Sequence, residues 1–383
     1  MKIKFNRHEL AAAIAPLMSC VSTKVTVPAA EGILIEAKAP NECVLTTFDL
    51  EKGMRVTTNA QVLEGGSYII NAVKLNQTLR VMPADEIELD VDDRNVASIV
   101  CGKSSHKMNA LAGSDFPAIP KLDSEEALVI KQSDLKEMFS QTMYAMGVND
   151  QRNILNGTFV KMTGEHLTMV SCDNFKLAKC DRVIEYQVEN EAEETYSNSF
   201  ILPVKTVNEL VKLLSDNKEK TARLFMTRKN IVFEIGEVTF FSRLIEGEYL
   251  DYDRIIVKNH KYSVECDRDE LISALERAAL VTEEKIAGSL RSHVKLVFDG
   301  GLLKITANSS AGSTYDEIEI NDIGAPLTIG FNNRYLINSV RACNAERIKL
   351  SLSSHLSSLN IVPAEPKEGI DEVFMLLPVR LKD

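Results

Sequence analysis

Three stretches of the chain alternate apolar and polar residues and then switch to helical spacing. Lys2-Ile3-Lys4-Phe5-Asn6 runs into a segment carrying Leu10 and Ile14, and Leu128-Val129-Ile130-Lys131 into Ser133, Leu135, Met138 and Phe139. Tyr262-Ser263-Val264-Glu265 leads in the same way to Asp267, Leu271 and Leu275. A period of two puts alternate side chains on opposite faces of a strand, whereas apolar residues three and four apart form one stripe on a helix. Ser133 and Asp267 read as N-caps, whose side-chain oxygens accept from the unpaired amides of a first helical turn. Only Asp267 has an acid, Glu270, at the third position after it to complete a capping box.

The pattern then repeats as a larger unit. Each helix gives way to a hairpin-like region ending in a polar break, at Phe48-Asp49, Cys172-Asp173 and Ala307-Asn308. From Leu10, Leu135 and Leu271 the intervals to Asp49, Asp173 and Asn308 are 39, 38 and 37 residues. A second helix is predicted over 71–81, 203–214 and 333–342, with Pro203 suited to a first turn because its missing N–H has no partner there. A third block of alternating strands follows over 99–111, 231–244 and 359–379. Such a period marks repeated structural units. Linkers near 117–126 and 253–261 predict domains 1–122, 123–255 and 256–383, each α+β with two helices on mostly antiparallel strands.

Charge changes this picture. The 383 residues are 45% hydrophobic and 26% charged, a soluble globular composition, and the formal net charge is −11. Bulk attraction to nucleic acid is thereby excluded, and any such role needs local placement of cations. The second helices supply it. Val204, Val207, Leu210, Val211 and Leu214 share one face, while Lys205 and Lys212, about 20° out of register, lie opposite. Arg334 and Arg341 repeat the device against Leu336, Ile337 and Val340, and the first repeat places Lys74 and Arg80 on the corresponding helix. Glu209 is the one acid in these three segments. The first helices mix cations with acids and carry no such face.

Other chemistry is sparse. The cysteines Cys20, Cys43, Cys101, Cys172, Cys180, Cys266 and Cys343 are odd in number and form no CxxC pair, which argues for buried free thiols over disulfides or zinc. The N-terminus has no secretory apolar run, and no stretch is long enough to span a bilayer, so a cytoplasmic protein with no membrane partner is expected. The six histidines are scattered without HExxH spacing, and no cofactor or metal is called for. The rival signal is Ala97 to Ser104, which fits AxxxxGKS and would make the chain a nucleotide-binding enzyme. A phosphate loop must open a helix; the continuation Ser105-His106-Lys107-Met108-Asn109-Ala110-Leu111 alternates instead, so a hairpin is expected there. A repeat scaffold that binds only proteins is a further alternative.

Six segments then meet in one pattern: Arg152-Asn153-Ile154-Leu155-Asn156-Gly157, Cys172-Asp173-Asn174-Phe175-Lys176-Leu177-Ala178, Glu246-Gly247-Glu248-Tyr249-Leu250-Asp251-Tyr252, Asp115-Phe116-Pro117, Lys304-Ile305-Thr306-Ala307-Asn308 and Leu377-Pro378-Val379-Arg380-Leu381. In order and spacing they resemble the bacterial beta sliding clamp, the DNA polymerase III beta subunit family. The resemblance covers the whole chain.

It implies a non-catalytic homodimer of three-domain chains, joined head to tail into a pseudo-sixfold ring around double-stranded DNA. Twelve helices about 10 Å wide would close a circle roughly 38 Å across and leave a hole of about 28 Å. Together with the charge pattern it points to Lys24, Lys74, Arg80, Arg152, Lys205, Lys212, Arg334 and Arg341 as weak, sequence-independent DNA contacts. It implies a pocket for short linear peptides of the replicative polymerase, clamp loader subunits and repair proteins, formed by Leu155, Cys172, Asn174, Phe175, Lys176, Leu177, Leu250, Arg254, Ile255, Ser358, Met375, Leu377, Pro378, Val379 and Arg380. The dimer interface would take Lys74, Thr78, Met82, Lys103, His106 and Met108 from one copy and Leu280 and Val281 from the other. The family's commoner Thr-Asp-Gly-His-Arg-Leu is here Cys172-Asp173-Asn174-Phe175-Lys176-Leu177, its usual proline is Leu250, and Lys382-Asp383 extend the terminus.

Overall fold

In all three repeats the chain turns from strand to helix where the hydrophobic period changes. The computed structural model describes residues 1–22, 27–38, 40–119, 127–189, 197–282, 285–286, 289–290, 293–310, 312–321 and 323–381. Strands Lys2–Asn6, Ala127–Lys131 and Tyr262–Asp267 lead directly into helices α1 (Arg7–Leu17), α3 (Gln132–Thr142) and α6 (Arg268–Thr282). The second helices are α2 (Ala72–Val81), α4 (Val204–Leu213) and α7 (Asn333–Ala342), and a four-residue α5 (Tyr252–Ile255) lies where a linker was expected.

The caps are mostly asparagine and aspartate. Asn6 accepts from the His8 amide at 2.9 Å, Asn71 from Lys74 at 3.0 Å, Asn332 from Tyr335 at 3.1 Å and Asp267 from Glu270 at 2.8 Å, each satisfying a first-turn donor. Three expectations need correction. Ser133 is not a cap, because α3 already starts at Gln132; the buried Gln132 amide instead donates to the Thr221 carbonyl at 2.8 Å and accepts from the Ser215 amide at 3.0 Å. Pro203 ends the strand Ser197–Pro203 opposite Gly157 rather than entering the first turn of α4. The polar break expected at Ala307-Asn308 is also displaced: strand Leu302–Ser309 continues through it, with Asn308 paired to Ser313.

Strand pairing, more than chain order, groups the molecule. One compact unit comprises Met1–Ser133, Tyr186–Ala192 and Lys212–Leu244, and the other Asp134–Glu185, Glu193–Val211 and Ile245–Asp383. Among the described residues the first unit carries a 14-stranded sheet in which Lys52–Asn59 pairs antiparallel with Val238–Arg243. The second carries an 8-stranded sheet in which Lys176–Val183 pairs in the same sense with Ile370–Leu376, and a 4-stranded sheet. In each large sheet, strands of successive repeats therefore become neighbours. The apolar stripes read from the sequence are inside: Ile3, Leu10 and Ile14 in the first unit, and Leu271, Leu275, Leu336 and Val340 against Phe298, Phe331 and Phe374 in the second, and Leu75 and Leu79 of α2 are buried as well. All seven cysteines are buried free thiols.

A buried polar cluster locks the second unit. The Arg182 guanidinium donates to Glu137 at 2.8 and 3.0 Å, to Gln141 at 2.7 Å and to Glu372 at 2.7 Å. Glu372 is buried, and Arg182 is its ion-pair partner. Arg182→Met is expected to cost about 3–5 kcal/mol by stranding that carboxylate, read from urea melts; adding Glu372→Leu should restore much of the loss. Equal stability of Arg182→Met and the wild type would show that the cluster carries no weight. The hydrogen bond from Arg182 also holds the Glu137 carboxyl below its ordinary range. That contribution is present above the usual carboxylate pKa and fades as pH falls through the lowered value.

Candidate functional site

The second helices present cations outward over a buried stripe. Val207, Leu210 and Leu214 are buried below α4, and Leu336, Ile337 and Val340 below α7, while Lys205, Lys212, Arg334 and Arg341 are exposed. Lys74 and Arg80 are exposed on α2. Arg341 forms an ion pair with Glu276. Arg152 belongs to none of these helices but lines a cleft with Arg334 of α7, and it is bonded to Asp150 at 3.3 Å and to Asn174 at 2.5 Å. Hydrogen bonds from the Arg152 amide and side chain hold the Asp150 carboxyl below its usual range. Lys24 lies outside the described residues.

A second site is apolar. In the second unit Val170, Cys172, Leu177, Ile256 and Met375 are buried together, with half-buried Phe159, Tyr249, Leu250, Tyr252 and Val373 against them. The sheet register makes this floor, since Cys172 pairs with Leu177 and Leu177 with Met375. Leu155 is buried, and Phe159 stacks on Tyr249 at 5.0 Å.

The rim is fixed by a turn. The Asp173 carboxylate accepts from the amides of Phe175 at 2.7 Å and Lys176 at 2.9 Å and pairs with the Lys176 ammonium. Lys176 is buried and lies 5.0 Å over the Tyr335 ring. The Leu377 amide donates to the Phe175 carbonyl at 2.8 Å, which seats the C-terminal segment beside the turn. Phe175, Ile255 and Leu377 remain 54%, 40% and 41% exposed, large apolar groups held in water beside an apolar floor. Ser358 is buried with its hydroxyl unpartnered, Arg254 is exposed and tied to Asp251 at 2.9 Å, and Pro378 and Val379 are half-buried before exposed Arg380. Asn174 and Arg152 line an adjoining cleft of about 810 Å³ with Arg334 and Tyr335.

Such a surface suits the docking of apolar side chains from a partner. Covalent chemistry is disfavoured at Cys172, because burial pushes its thiol up to about 11 and the thiolate is the reactive form.

A third feature lies in the first unit. Lys74, Thr78, Val81, His106 and Met108 line a cleft of about 660 Å³. Strand Ser104–Ala112 pairs with Val96–Cys101 over residues 104–109 and with Gly66–Asn71 only from Ala110 onward, so among the described residues its Ser104 end is an open edge. The hairpin expected at the AxxxxGKS segment is present: Cys101 pairs with Ser104 around Gly102 at φ +60°, and no helix follows to hold a phosphate. Lys103 is exposed at that turn, whereas Thr78 and Met82 are buried within their own unit. Leu280 is 84% exposed near the end of α6, with Val281 half-buried.

Comparison with known families separates these readings. Models of the DNA polymerase III beta subunit match the chain domain by domain, the N-terminal over residues 1–120, the central over 129–251 and the C-terminal over 253–378. The chain belongs to the DNA polymerase III beta subunit family. The beta sliding clamp of Chlamydia muridarum is 27% identical over 385 residues, covering 100% of both chains, and that of Staphylococcus aureus 25% identical over 391 residues, covering 99% of each. Among solved structures, the subunit beta from Pseudomonas aeruginosa matches with TM-score 0.87 and 26% identity, and a beta subunit from Eubacterium rectale with 0.88 and 26%, each over 100% of both chains. The fold is thus three clamp domains of helix and antiparallel sheet, and the function is that of a DNA sliding clamp; the nucleotide-binding alternative has no support.

For this beta clamp family member the structure adds residues that the pattern could not supply. Tyr335 meets Phe175 at 6.1 Å between ring centres from a helix far along the chain. Ile256 completes the apolar floor, and Val81, 78% exposed, takes the surface place expected for Met82. A one-residue shift at the end of α2 separates the buried from the exposed side chain.

Proposed function

We propose that two copies of the chain close head to tail into a ring around duplex DNA, and that each copy tethers replication and repair proteins by short peptides seated in the apolar pocket. The role is non-catalytic and cytoplasmic, with domain boundaries near 122 and 255, where the family matches change from one domain to the next. The observation that carries this reading is the recurrence of outward cations on α2, α4 and α7 in a chain of net charge −11. A ring holds DNA by topology, so Lys74, Arg80, Lys205, Lys212, Arg334 and Arg341 need give only weak, sequence-independent attraction, and an acidic exterior discourages binding elsewhere. Lys24 and Arg152 would add to it. Polymerase and clamp loader subunits and repair proteins would use the pocket around Leu177, Met375 and Leu377.

Closure is supported by complementary strand edges. The open edge in the first unit carries Lys103, His106 and Lys107; the edge strand Gly312–Glu319 of the second carries Asp316, Glu317 and Glu319. Pairing the two between copies would bury both edges, which otherwise invite aggregation. Sedimentation velocity tests the assembly. Two chains per particle are expected for the wild type and one for Val81→Glu combined with Leu280→Asp, which should also lose retention on DNA. A single-chain wild type that is still retained on DNA would overturn the ring.

A further inference from the structure

The peptide pocket has a counterpart one repeat earlier, inside the first unit, and the two can be superposed residue by residue from hydrogen bonds and register. The Asp173 turn accepts from the amides of Phe175 and Lys176; the Asp49 turn accepts from Glu51 at 3.0 Å and Lys52 at 2.8 Å. Lys176 and Lys52 are both buried beside their aspartates. The Leu377 amide donates to the Phe175 carbonyl at 2.8 Å, and the Arg243 amide to the Glu51 carbonyl at 2.9 Å. Leu177 pairs with Met375, and Gly53 with Phe241. By this correspondence Phe48 stands for Cys172, Gly53 for Leu177, Phe241 for Met375, Glu51 for Phe175 and Arg243 for Leu377.

Four of these exchanges fill or charge the seat, while Leu50, 39% exposed, replaces Asn174 in the opposite sense. The Phe241 ring lies so close over Gly53 that a Cβ there would meet it at 2.2 Å, so the ring occupies the space that Leu177 fills in the other unit. Phe48 packs against it at 5.5 Å, and Val232, Phe116, Ile119 and Phe225 complete the cluster. Phenylalanine therefore replaces cysteine and methionine on the floor. At the rim exposed Glu51 and Arg243 replace exposed Phe175 and Leu377, and charged groups offer nothing to an apolar anchor while resisting desolvation.

We propose that the first unit contains a second copy of the peptide seat, filled by the chain's own Phe48 and Phe241 and rimmed by charge, so that each chain keeps a single open seat. This rests on the reading of the Leu177–Met375 pocket as a peptide seat. The test is the stoichiometry, by calorimetry on the intact dimer, of a synthetic hexapeptide with leucine and phenylalanine anchors. Wild type is expected to take one peptide per chain. The variant Phe48→Cys, Glu51→Phe, Phe241→Met, Arg243→Leu is expected to take two. One per chain in a variant with an unchanged circular dichroism spectrum would overturn the filled-seat proposal and leave the pocket standing; no binding by wild type would overturn both. If the four-residue variant does not fold, the reverse exchange decides. Leu177→Gly with Met375→Phe should weaken binding by about tenfold or more beyond Leu177→Gly alone, since the new ring takes the anchor's place. Equal affinity of those two variants would overturn the proposal.

Discussion

Arg80, Lys205, Lys212, Arg334 and Arg341 exchanged together for glutamate are expected to cut loading onto DNA by about a thousandfold or more, while the two-chain particle survives. Each exchange shifts the charge by two, so the formal net charge moves from −11 to −21, and the whole change falls on exposed helix faces. Lys74 is left out because it also lines the cleft at the open strand edge. The loss should be steepest at low salt, where the Debye length is longest, and the corresponding glutamine variant should fall between. Loading equal to wild type would remove DNA from the account and favour a scaffold that binds only proteins.

Phe175→Ala with Leu377→Ala is expected to weaken peptide binding by about a hundredfold, from about 1–2 kcal/mol for each apolar anchor lost at the rim. Both side chains are largely exposed, so their removal opens no cavity and the thermal midpoint should hardly move. That separates a docking role from a packing role. Fluorescence anisotropy of a labelled peptide measures the first and calorimetric melting the second. Affinity within about twofold of wild type would place the anchor elsewhere, and a large fall in midpoint would make these residues part of the core.

Much of this architecture was legible in the residues because helices and strands bury one face each. The switches after Asn6, Lys131 and Asp267 fall where period two gives way to period 3.6, and α7 spans the predicted 333–342. Ends were less legible. Ser133 and Pro203 have the right chemistry for a helix start, but the chain places Gln132 and Val204 there, because Gln132 answers groups some eighty residues away. The joining of Lys52–Asn59 to Val238–Arg243 and of Lys176–Val183 to Ile370–Leu376 has no local signature, so grouping into two units could not be read from period. The cation pattern was readable from helix geometry. The pocket came from resemblance; Tyr335 escaped it because it meets Phe175 and Lys176 from far along the chain, whereas Ile256 packs with Tyr249 and Tyr252 close in sequence and only its burial in the fold marks it.

The central claim is a topological link, and its most direct test is retention on DNA of different ends. The dimer, placed on a nicked circular plasmid by its loader, should elute with the plasmid in high salt and run free once the plasmid is cut to a linear form. Release by salt from the intact circle, or equal retention on linear DNA, would contradict it.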